Sequence, residues 1–453
     1  MDRAGRHGYR FTHIGSAFVA LLLAGCGGGG GGSGALVGPP APPPSPPPTT
    51  IPVTLDSKNF ALASQLTVSV AEAVLQLGML ATDAADQVRA NPQNSASVAC
   101  LNGGTVDLAF TDGDADGLLT NGDSIRASFH QCYQTSVNDV ANGDITVTLA
   151  AAATTVSLDG EPSYVLDMQF VSPFTLGAGA SESTLSGGIT VSLVRDSLTT
   201  ILGVASNASD NLNISVVVDG TTYTEAPRSL QLNKKLDYSA ATVELRLAMV
   251  YRSQALGGQT TLTTQDYLGG YFNTYPTIGF FNIAGAGPNV AHLRVGGQYV
   301  IPGNDQSTVD LSADGFQTLI SSQTSPWASF TAGFLWWEPL SYPGIYPNGY
   351  APLTLSVVTP QPALLFTRPA NQGIRSVNLP IYLQYNVPIA SAPAQSVLLL
   401  PVSPAGPSIP VGLSFQGARL VVTPQQPLQP GTIYTLSLEA VGPTFLTLQF
   451  TAQ

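Results

Sequence analysis

Apolar residues recur at intervals of three or four along residues 60–90. The recurring positions are Leu62, Leu66, Val70, Val74, Leu77, Ala81, Ala84 and Val88. That spacing corresponds to one face of an amphipathic helix. Asn59 stands where a helix cap is expected, and Pro92 stands where the helix would end. We therefore predict one long helix that packs on the sheet formed by the residues after it.

From about residue 100 to residue 320 the period changes to two, with apolar and polar residues alternating in short runs. The clearest runs are 143–152, 163–171, 187–194, 213–226, 241–251 and 291–300. Turn sequences such as Val218-Asp219-Gly220-Thr221 separate strands of this kind. The pattern predicts a large antiparallel β domain over residues 56–355, a sandwich or partial barrel with one helix packed on it. The fold class is therefore mainly β.

Residues 361–453 also alternate, in short strands separated by proline-rich turns, which is typical of a β-sandwich. The motifs in question are Pro369–Gly373, Ile381–Tyr385 with Asn386 and Pro388, Val422-Thr423-Pro424, and Leu428–Thr435. They resemble the opening turn and closing strands of bacterial Ig-like domains of the S-layer type. The resemblance implies a C-terminal Ig-like β-sandwich that serves as a spacer or surface-interaction module. Such a fold does not itself imply a reaction.

The first 25 residues have the organisation of a secretory signal. Three arginines within residues 1–10 precede an apolar stretch at 14–23, and Leu23-Ala24-Gly25-Cys26 follows. These four residues resemble the bacterial lipobox. The resemblance implies cleavage before Cys26, diacylglycerol on its sulfur and a fatty acid such as palmitate on its amine. The alternative is an ordinary secretory signal peptide. With Gly27 rather than Asp after the cysteine, the resemblance implies the outer membrane of a Gram-negative bacterium, facing either the periplasm or the outside.

Residues 26–55 begin with a run of glycines and continue with a run of prolines. Glycines make a flexible joint and prolines an extended spacer, so this segment is expected to be a tether without secondary structure of its own. We identify no other stretch that is long and apolar enough to span a bilayer.

Composition narrows the class of partners. Only 10% of the residues are charged, and the net charge is −12. The leader contains three arginines and one aspartate, so cleavage makes the mature chain more acidic and leaves no basic run. We therefore expect no nucleic acid partner. The simplest role for the acidity is solubility.

With Cys26 assigned to lipid, Cys100 and Cys132 remain. In an oxidising envelope compartment an isolated pair of cysteines predicts a disulfide. A metal site on the pair is the weaker alternative, because the mature chain has only His130 and His292 as further soft ligands.

Between the cysteines, residues 112–123 read DGDADGLLTNGD. Alternate carboxylates followed by a glycine have the ligand spacing of EF-hand and dockerin calcium loops, which this segment resembles. The resemblance implies calcium ligands at Asp112, Asp114, Asp116, Leu118 through its carbonyl, Thr120 and Asp123. Strands rather than helices flank the segment, so a solvated hairpin turn is the alternative. A bound calcium ion would be structural.

Residues 326–350 are rich in aromatic side chains. A binding surface for a glycan or an envelope protein would use Trp327, Trp336, Trp337, Tyr342 and Tyr346. The alternative is a packed domain junction.

We find no sequence motif of a nucleophile elbow, a metalloprotease, a phosphate-binding loop or a dinucleotide site, and we expect a non-enzymatic protein. The leading expectation is a lipid-anchored envelope protein with a structural, adhesive or ligand-binding role. One alternative is a carbohydrate-active hydrolase that uses two of the carboxylates, which include Asp159, Glu161, Asp167, Glu225, Asp237, Glu244 and Glu338. Another is a periplasmic carrier of lipid or lipoprotein with an apolar cavity beneath a curved sheet.

Overall fold

The structure is a computed structural model that describes the chain from residue 50 to residue 452. The residues outside the description are 91–94, 101–102, 134–139, 153–162, 172, 177–181, 196–197, 219–220, 265–266, 272–275, 277, 296–305, 314–317, 327–363, 369–372, 376, 378–379, 386–388, 390–396 and 439–445. The described part is mainly β, as the sequence predicted.

The predicted helix is present as α1, Phe60–Ala90. Its first turn is capped by a local network: the Asp56 carboxylate accepts the N–H groups of Lys58 and Asn59, and the Asn59 side-chain oxygen accepts the Asp56 N–H. The Asn59 carbonyl accepts the Ala63 N–H as the first intrahelical bond. Asn59 therefore marks the helix start, as predicted, but its side chain stabilises the preceding turn. Pro92 lies outside the described residues.

Eighteen strands form one large sheet. They are β1 Ser95–Ala99, β2 Thr105–Thr111, β3 Ser124–Tyr133, β4 Val140–Ala152, β5 Tyr164–Phe170, β6 Phe174–Leu176, β7 Ser183–Ser186, β8 Gly188–Arg195, β9 Thr199–Ser206, β10 Asn213–Val218, β11 Thr221–Asp237, β12 Thr242–Ser253, β13 Gly258–Thr264, β14 Leu268–Tyr271, β15 Phe280–Ala284, β16 Val290–Val295, β17 Gln306–Ala313 and β18 Thr318–Pro326.

The pairing between these strands is antiparallel throughout. The main path runs β1-β2-β3-β4-β5-β8-β9-β11-β12-β13-β15-β16-β17-β18. A shorter path, β4-β6-β7-β10-β11, leaves and rejoins it, and β14 pairs with β12. Because neighbours along the chain are mostly neighbours in the sheet, short hairpin connections build most of it. The Val218–Thr221 hairpin is confirmed by its register, which pairs those two residues.

The sheet curves around α1. The strands that approach the helix are β2, β3, β4, β5, β8, β9, β11, β16 and β17, which belong to both halves of the sheet. Every helix residue from 74 to 82 is buried, and such a run spans more than two helical turns. α1 therefore packs on the sheet, as predicted, but its middle turns are buried on every side and present no polar face to solvent.

Polar residues in this helix did not prevent its burial because they bond to its own backbone. The hydroxyls of Ser64, Thr67 and Thr82 donate to the carbonyls of the preceding turn at 3.0, 2.7 and 3.0 Å. By length and hydropathy alone, Phe60–Arg89 would also qualify as a membrane span, which corrects our expectation that no stretch after the leader would. Three quarters of its most apolar window, 75%, is buried inside the protein.

Two contacts fix α1 against β8 and β9. A Cβ added at Gly78 would stand 2.6 Å from Cγ2 of Val204, so only glycine allows this close approach of helix and sheet. Near the end of the helix, the Arg195 guanidinium makes a two-pronged ion pair with the Asp86 carboxylate, at 3.0 and 3.3 Å. Arg195 is buried, so this pair sets the position of the last turns of α1.

The last residues of the predicted tether are part of the sheet. Ile51, Val53 and Gln259 exchange backbone hydrogen bonds of 2.9 Å, and the Ala286 N–H donates to Val53 at 2.7 Å. The segment therefore lies between the start of β13 and the turn after β15, with one isolated parallel bridge to Gln259 and one to Ala286. Val53 and Leu55 are buried in the main core. The folded domain thus starts ahead of residue 56, where the sequence analysis placed its boundary.

Residues 364–452 form two four-stranded sheets around a second core. The strands are β19 Leu364–Arg368, β20 Gly373–Arg375, β21 Ile381–Tyr385, β22 Val397–Ser403, β23 Val411–Gln416, β24 Arg419–Pro424, β25 Ile433–Leu438 and β26 Leu446–Ala452. One sheet has the order β19-β21-β24-β23 and the other β20-β26-β25-β22. Side chains from both sheets, including Leu383, Val422, Leu436 and Phe450, share this core, as in a β-sandwich.

The two modules are joined by the turn between β23 and β24. The Ala418 N–H donates to the Ser239 carbonyl at 2.8 Å, and the Gln384 amide donates to the Tyr238 carbonyl at 3.0 Å. The Arg419 guanidinium lies between the rings of Tyr238 and Tyr382, 3.6 and 4.6 Å from their centroids. Buried cation–π contacts of this kind contribute about 2 kcal/mol each. Together these contacts hold the sandwich against the β11–β12 turn.

Replacing Gly78 with alanine is expected to destabilise the protein by about 1–2 kcal/mol, because the new methyl group overlaps the stiff Val204 side chain. In a Val204→Ala background the added methyl group has no side chain to overlap. The same change is then expected to stabilise the helix by up to about 1 kcal/mol, because alanine favours the helix more than glycine does. Urea unfolding of the four variants measures both effects. A destabilising Gly78→Ala in both backgrounds would show that the contact with Val204 is not the constraint.

Candidate functional site

The acidic segment 112–123 is the loop that joins β2 to β3. The register of the two strands runs from Thr105 opposite His130 to Thr111 opposite Ser124. Strands therefore flank the loop, as the sequence predicted. The loop is also tied to β4, because Gly122 and Leu149 bond through their backbones at 2.9 Å. Its base is thus fixed to three adjacent strands.

Asp112 organises the first half of the loop. Its two carboxylate oxygens accept the N–H groups of Ala115 and Gly117 at 2.6 and 2.8 Å. Ala115 and Gly117 adopt positive φ angles of 59° and 76°, which turn the chain back toward Asp112. The Gly117 N–H bond holds the pKa of the Asp112 carboxyl below its ordinary value. Asp112 is therefore ionised at neutral pH.

The three alternate aspartates converge at the surface. Carboxylate oxygens of Asp112, Asp114 and Asp116 lie within 4.8 Å of one another. The Thr120 hydroxyl donates to Asp114 at 3.2 Å, and the Asp116 carboxylate accepts the Leu118 N–H at 2.7 Å. Three like charges at this spacing repel one another, and a hard cation between their oxygens would remove that repulsion.

Asp123 is buried beneath the loop and bonds to both of its halves. It is 1% exposed, and its carboxylate accepts the N–H groups of Gly113 and Thr120 at 2.8 and 2.6 Å. The structure thus brings the first three predicted ligands together with Thr120, and places Asp123 across the loop as their support. The Leu118 side chain is exposed, whereas Leu119 packs on the main core.

The predicted disulfide is present. Cys100 and Cys132 are bonded, with their Cα atoms 5.5 Å apart. Cys132 lies on β3, and Cys100 follows β1 rather than standing on β2, so the bond joins the end of β1 to β3. In the chain-entropy model, a closed loop of this length adds roughly 3–4 kcal/mol of stability. The acidic loop lies within the closed segment.

A row of serine, aspartate and histidine crosses the outer face of β1, β2 and β3. The Ser97 hydroxyl donates to Asp107 at 2.6 Å, and the His130 imidazole lies 3.1 Å from the other Asp107 oxygen. Nucleophilic catalysis requires the base to take the proton of the nucleophile. Here the carboxylate stands between the other two groups, so this row has the wrong order for a catalytic triad.

Three of the carboxylates named as hydrolase candidates have structural partners. Asp167 accepts the Thr190 hydroxyl, Asp237 accepts N–H groups in the β11–β12 turn, and Glu244 lies 3.8 Å from the Lys235 ammonium. Asp159, Glu161 and Glu338 lie outside the described residues. Cys26 and the aromatic residues Trp327, Trp336, Trp337, Tyr342 and Tyr346 also lie outside them.

Glu225 has a special environment that the sequence analysis missed. It is 1% exposed and faces Ser253 of β12, and burial raises its pKa to about 7. A signal was available: the hairpin register that pairs Val218 with Thr221 also pairs Glu225 with Ile214, an apolar residue of the inward-facing set. Because directly paired residues lie on the same face of the sheet, the burial of Ile214 implies that Glu225 is buried as well.

Comparison with protein-family models, with curated proteins and with solved structures finds no match to this chain.

Proposed function

We propose that this chain is a non-enzymatic lipoprotein of a Gram-negative outer membrane, which holds two β modules at the cell envelope in a structural, adhesive or ligand-binding role. The observation that carries the proposal is the continuity between the lipobox-like segment at Leu23–Cys26, the Gly/Pro tether and the sheet. The tether does not end in a loose linker: residues 51–55 are hydrogen-bonded to the start of β13 and to the turn after β15. Because residues 51–55 are bonded to the sheet, a force applied to the tether would be transmitted directly to the core of the domain.

The second module supports a role in spacing or display. Its Tyr434 hydroxyl accepts the Gln429 N–H at 2.9 Å, five residues upstream. A tyrosine that bonds to the backbone just upstream is a recurrent feature of Ig-like sandwiches. With Arg419 held between two tyrosine rings, the module keeps a fixed orientation on the first one. We infer an Ig-like module whose partner is a glycan or an envelope protein.

The described interior favours this role over the two alternatives. A lipid carrier needs an open apolar surface, and here α1 occupies the concave side of the sheet. A glycosidase needs two carboxyl groups about 5–10 Å apart across a substrate cleft. The described carboxylates named for that role instead hold turns and strand pairs together.

We further propose that the β2–β3 loop binds one calcium ion with a structural role. Its ligands would be carboxylate oxygens of Asp112, Asp114 and Asp116, with Leu118 and Thr120 completing the set and Asp123 supporting it. The support for this is the convergence of three carboxylates on an anchored loop. Calcium prefers six to eight oxygen ligands, so water would supply the rest.

Lipidation is tested by growing a Gram-negative host that expresses the full chain with labelled palmitate. The protein is expected to carry label and to sediment with membranes, whereas Cys26→Ser is expected to lose the label and become soluble. The double variant Cys100→Ser/Cys132→Ser removes the other two cysteines and is expected to keep the label. An unlabelled wild-type protein, or label that persists in Cys26→Ser, would refute the anchor.

Calcium binding is tested by thermal unfolding of the mature protein, with its disulfide intact, in 10 mM calcium and in chelator. Extracellular calcium modules have dissociation constants of roughly 0.1–1 mM, so saturation is expected to stabilise the protein by about 1.5–3 kcal/mol. Asp114→Ala is expected to abolish the shift. Glu182→Ala, which removes an exposed carboxylate outside the loop, is expected to keep it. Equal unfolding temperatures in calcium and chelator would contradict the site.

A further inference from the structure

Glu225 is buried in a polar cluster at the start of β11. The Tyr251 hydroxyl donates to Oε2 at 2.5 Å, and the Ala255 N–H donates to Oε1 at 3.3 Å. The Ser253 hydroxyl also bonds to the carboxylate. Tyr251 and Ser253 are fully buried, so the cluster is closed to solvent. Its members come from β11, from β12 and from the turn that follows β12.

That turn, residues 254–257, is bonded both to the Glu225 cluster and to Thr224. The Thr224 N–H donates to the Gln254 side chain at 2.8 Å, and the Gln254 N–H donates to the Thr224 carbonyl at 3.1 Å. The Leu256 N–H donates to the Ser253 hydroxyl at 3.0 Å. The Gly257 N–H also donates to the Gln254 carbonyl at 3.1 Å, and Ala255 and Leu256 pack on the main core. Contacts with Thr224, Glu225 and Ser253 thus join the turn to β11 and β12.

The same turn leads directly into the tether-binding residues. Gly258 pairs with Ser253, and a Cβ at Gly258 would stand 2.3 Å from the Ile51 carbonyl oxygen. The next residue, Gln259, makes both backbone bonds to Ile51 and Val53. The turn is therefore followed directly by the residues that bind the tether segment.

We propose that the Glu225 cluster is a proton-operated latch: with the carboxyl protonated it holds the β12–β13 turn and seats residues 51–55 in the sheet, and its ionisation loosens both. The claim that this latch acts on a membrane tether rests on the proposed function. The coupling between Glu225 and residues 51–55 does not depend on it.

The surroundings of Glu225 set the direction of the effect. Burial is the largest cause that raises its pKa, to about 7 from an ordinary 4.5, and the bonds from Tyr251, Ser253 and Ala255 oppose it. Burial likewise raises the pKa of Tyr251 well above its ordinary value, so Tyr251 stays protonated up to pH 8. Arg228 and Arg252 project from the opposite face of their strands, and Lys234 lies on the inner face of β11, beyond a bulge.

The sign of the pH dependence follows from linkage. A group whose pKa is higher in the closed state than in the open state binds protons more tightly when closed. Closure is then fully stabilised below pH 4.5 and loses that stabilisation as the pH rises through about 7. Between pH 5 and pH 8 the equilibrium constant for opening is expected to rise roughly 70-fold.

The test is hydrogen exchange at the amides of Val53, Gln259 and Ala286 in the mature lipidated protein in detergent, from pH 5 to pH 8. After correction for the intrinsic pH dependence of exchange, protection of these amides is expected to fall roughly 70-fold across this range. Amides of β25 and β26 in the same molecules serve as the reference and are expected to keep their protection. In Glu225→Gln the fall is expected to disappear.

Glu244→Gln is the matched control, because it changes a part-exposed carboxylate on β12 and is expected to leave the fall unchanged. Tyr251→Phe is the second variant: it removes a bond that lowers the pKa of Glu225, so protection is expected to go on falling above pH 7. The Cys26→Ser chain is expected to behave as wild type, so a failed lipid anchor leaves this test intact. Wild-type protection that is flat with pH, or a fall that survives in Glu225→Gln, would overturn the latch.

Discussion

Burial of α1 on all sides is the constraint on which the rest of the fold depends. A helix that is buried around its whole circumference needs strands on every side, and a long antiparallel meander provides them only by curving. The helix comes close to β8 and β9 at Gly78, and the Asp86–Arg195 pair fixes its far end. Loss of the helix would expose the apolar inner face of strands from β2 to β17 together.

The same curved sheet positions every feature to which we assign a role. Residues 51–55 bond to the start of β13 and to the turn after β15, the sandwich packs on the β11–β12 turn, and the acidic loop joins β2 to β3. All three are attached to strands of one sheet with one continuous core. The arrangement suits a protein that carries load or displays a surface, because forces at the tether and at the sandwich meet in the same core.

Local features of this fold were predictable from the sequence, and long-range ones were not. Periods of 3.6 and 2 predicted α1 and the strands, and an isolated pair of cysteines in the expected oxidising compartment predicted the Cys100–Cys132 bond. The enclosure of α1 was missed because Ser64, Thr67 and Thr82 give it a polar stripe that bonds to its own backbone. The seating of Arg419 between two tyrosine rings joins residues far apart in the chain, and no local pattern encodes that contact.

Native-state hydrogen exchange along α1 tests the enclosure most directly. The account predicts that amides between Val74 and Thr82 exchange only through global unfolding, with the same free energy and denaturant dependence as amides of β9. A helix packed on one face of an open sheet would exchange through a smaller opening of its own. Exchange of these helix amides at a clearly lower free energy than β9 would therefore contradict the enclosed helix.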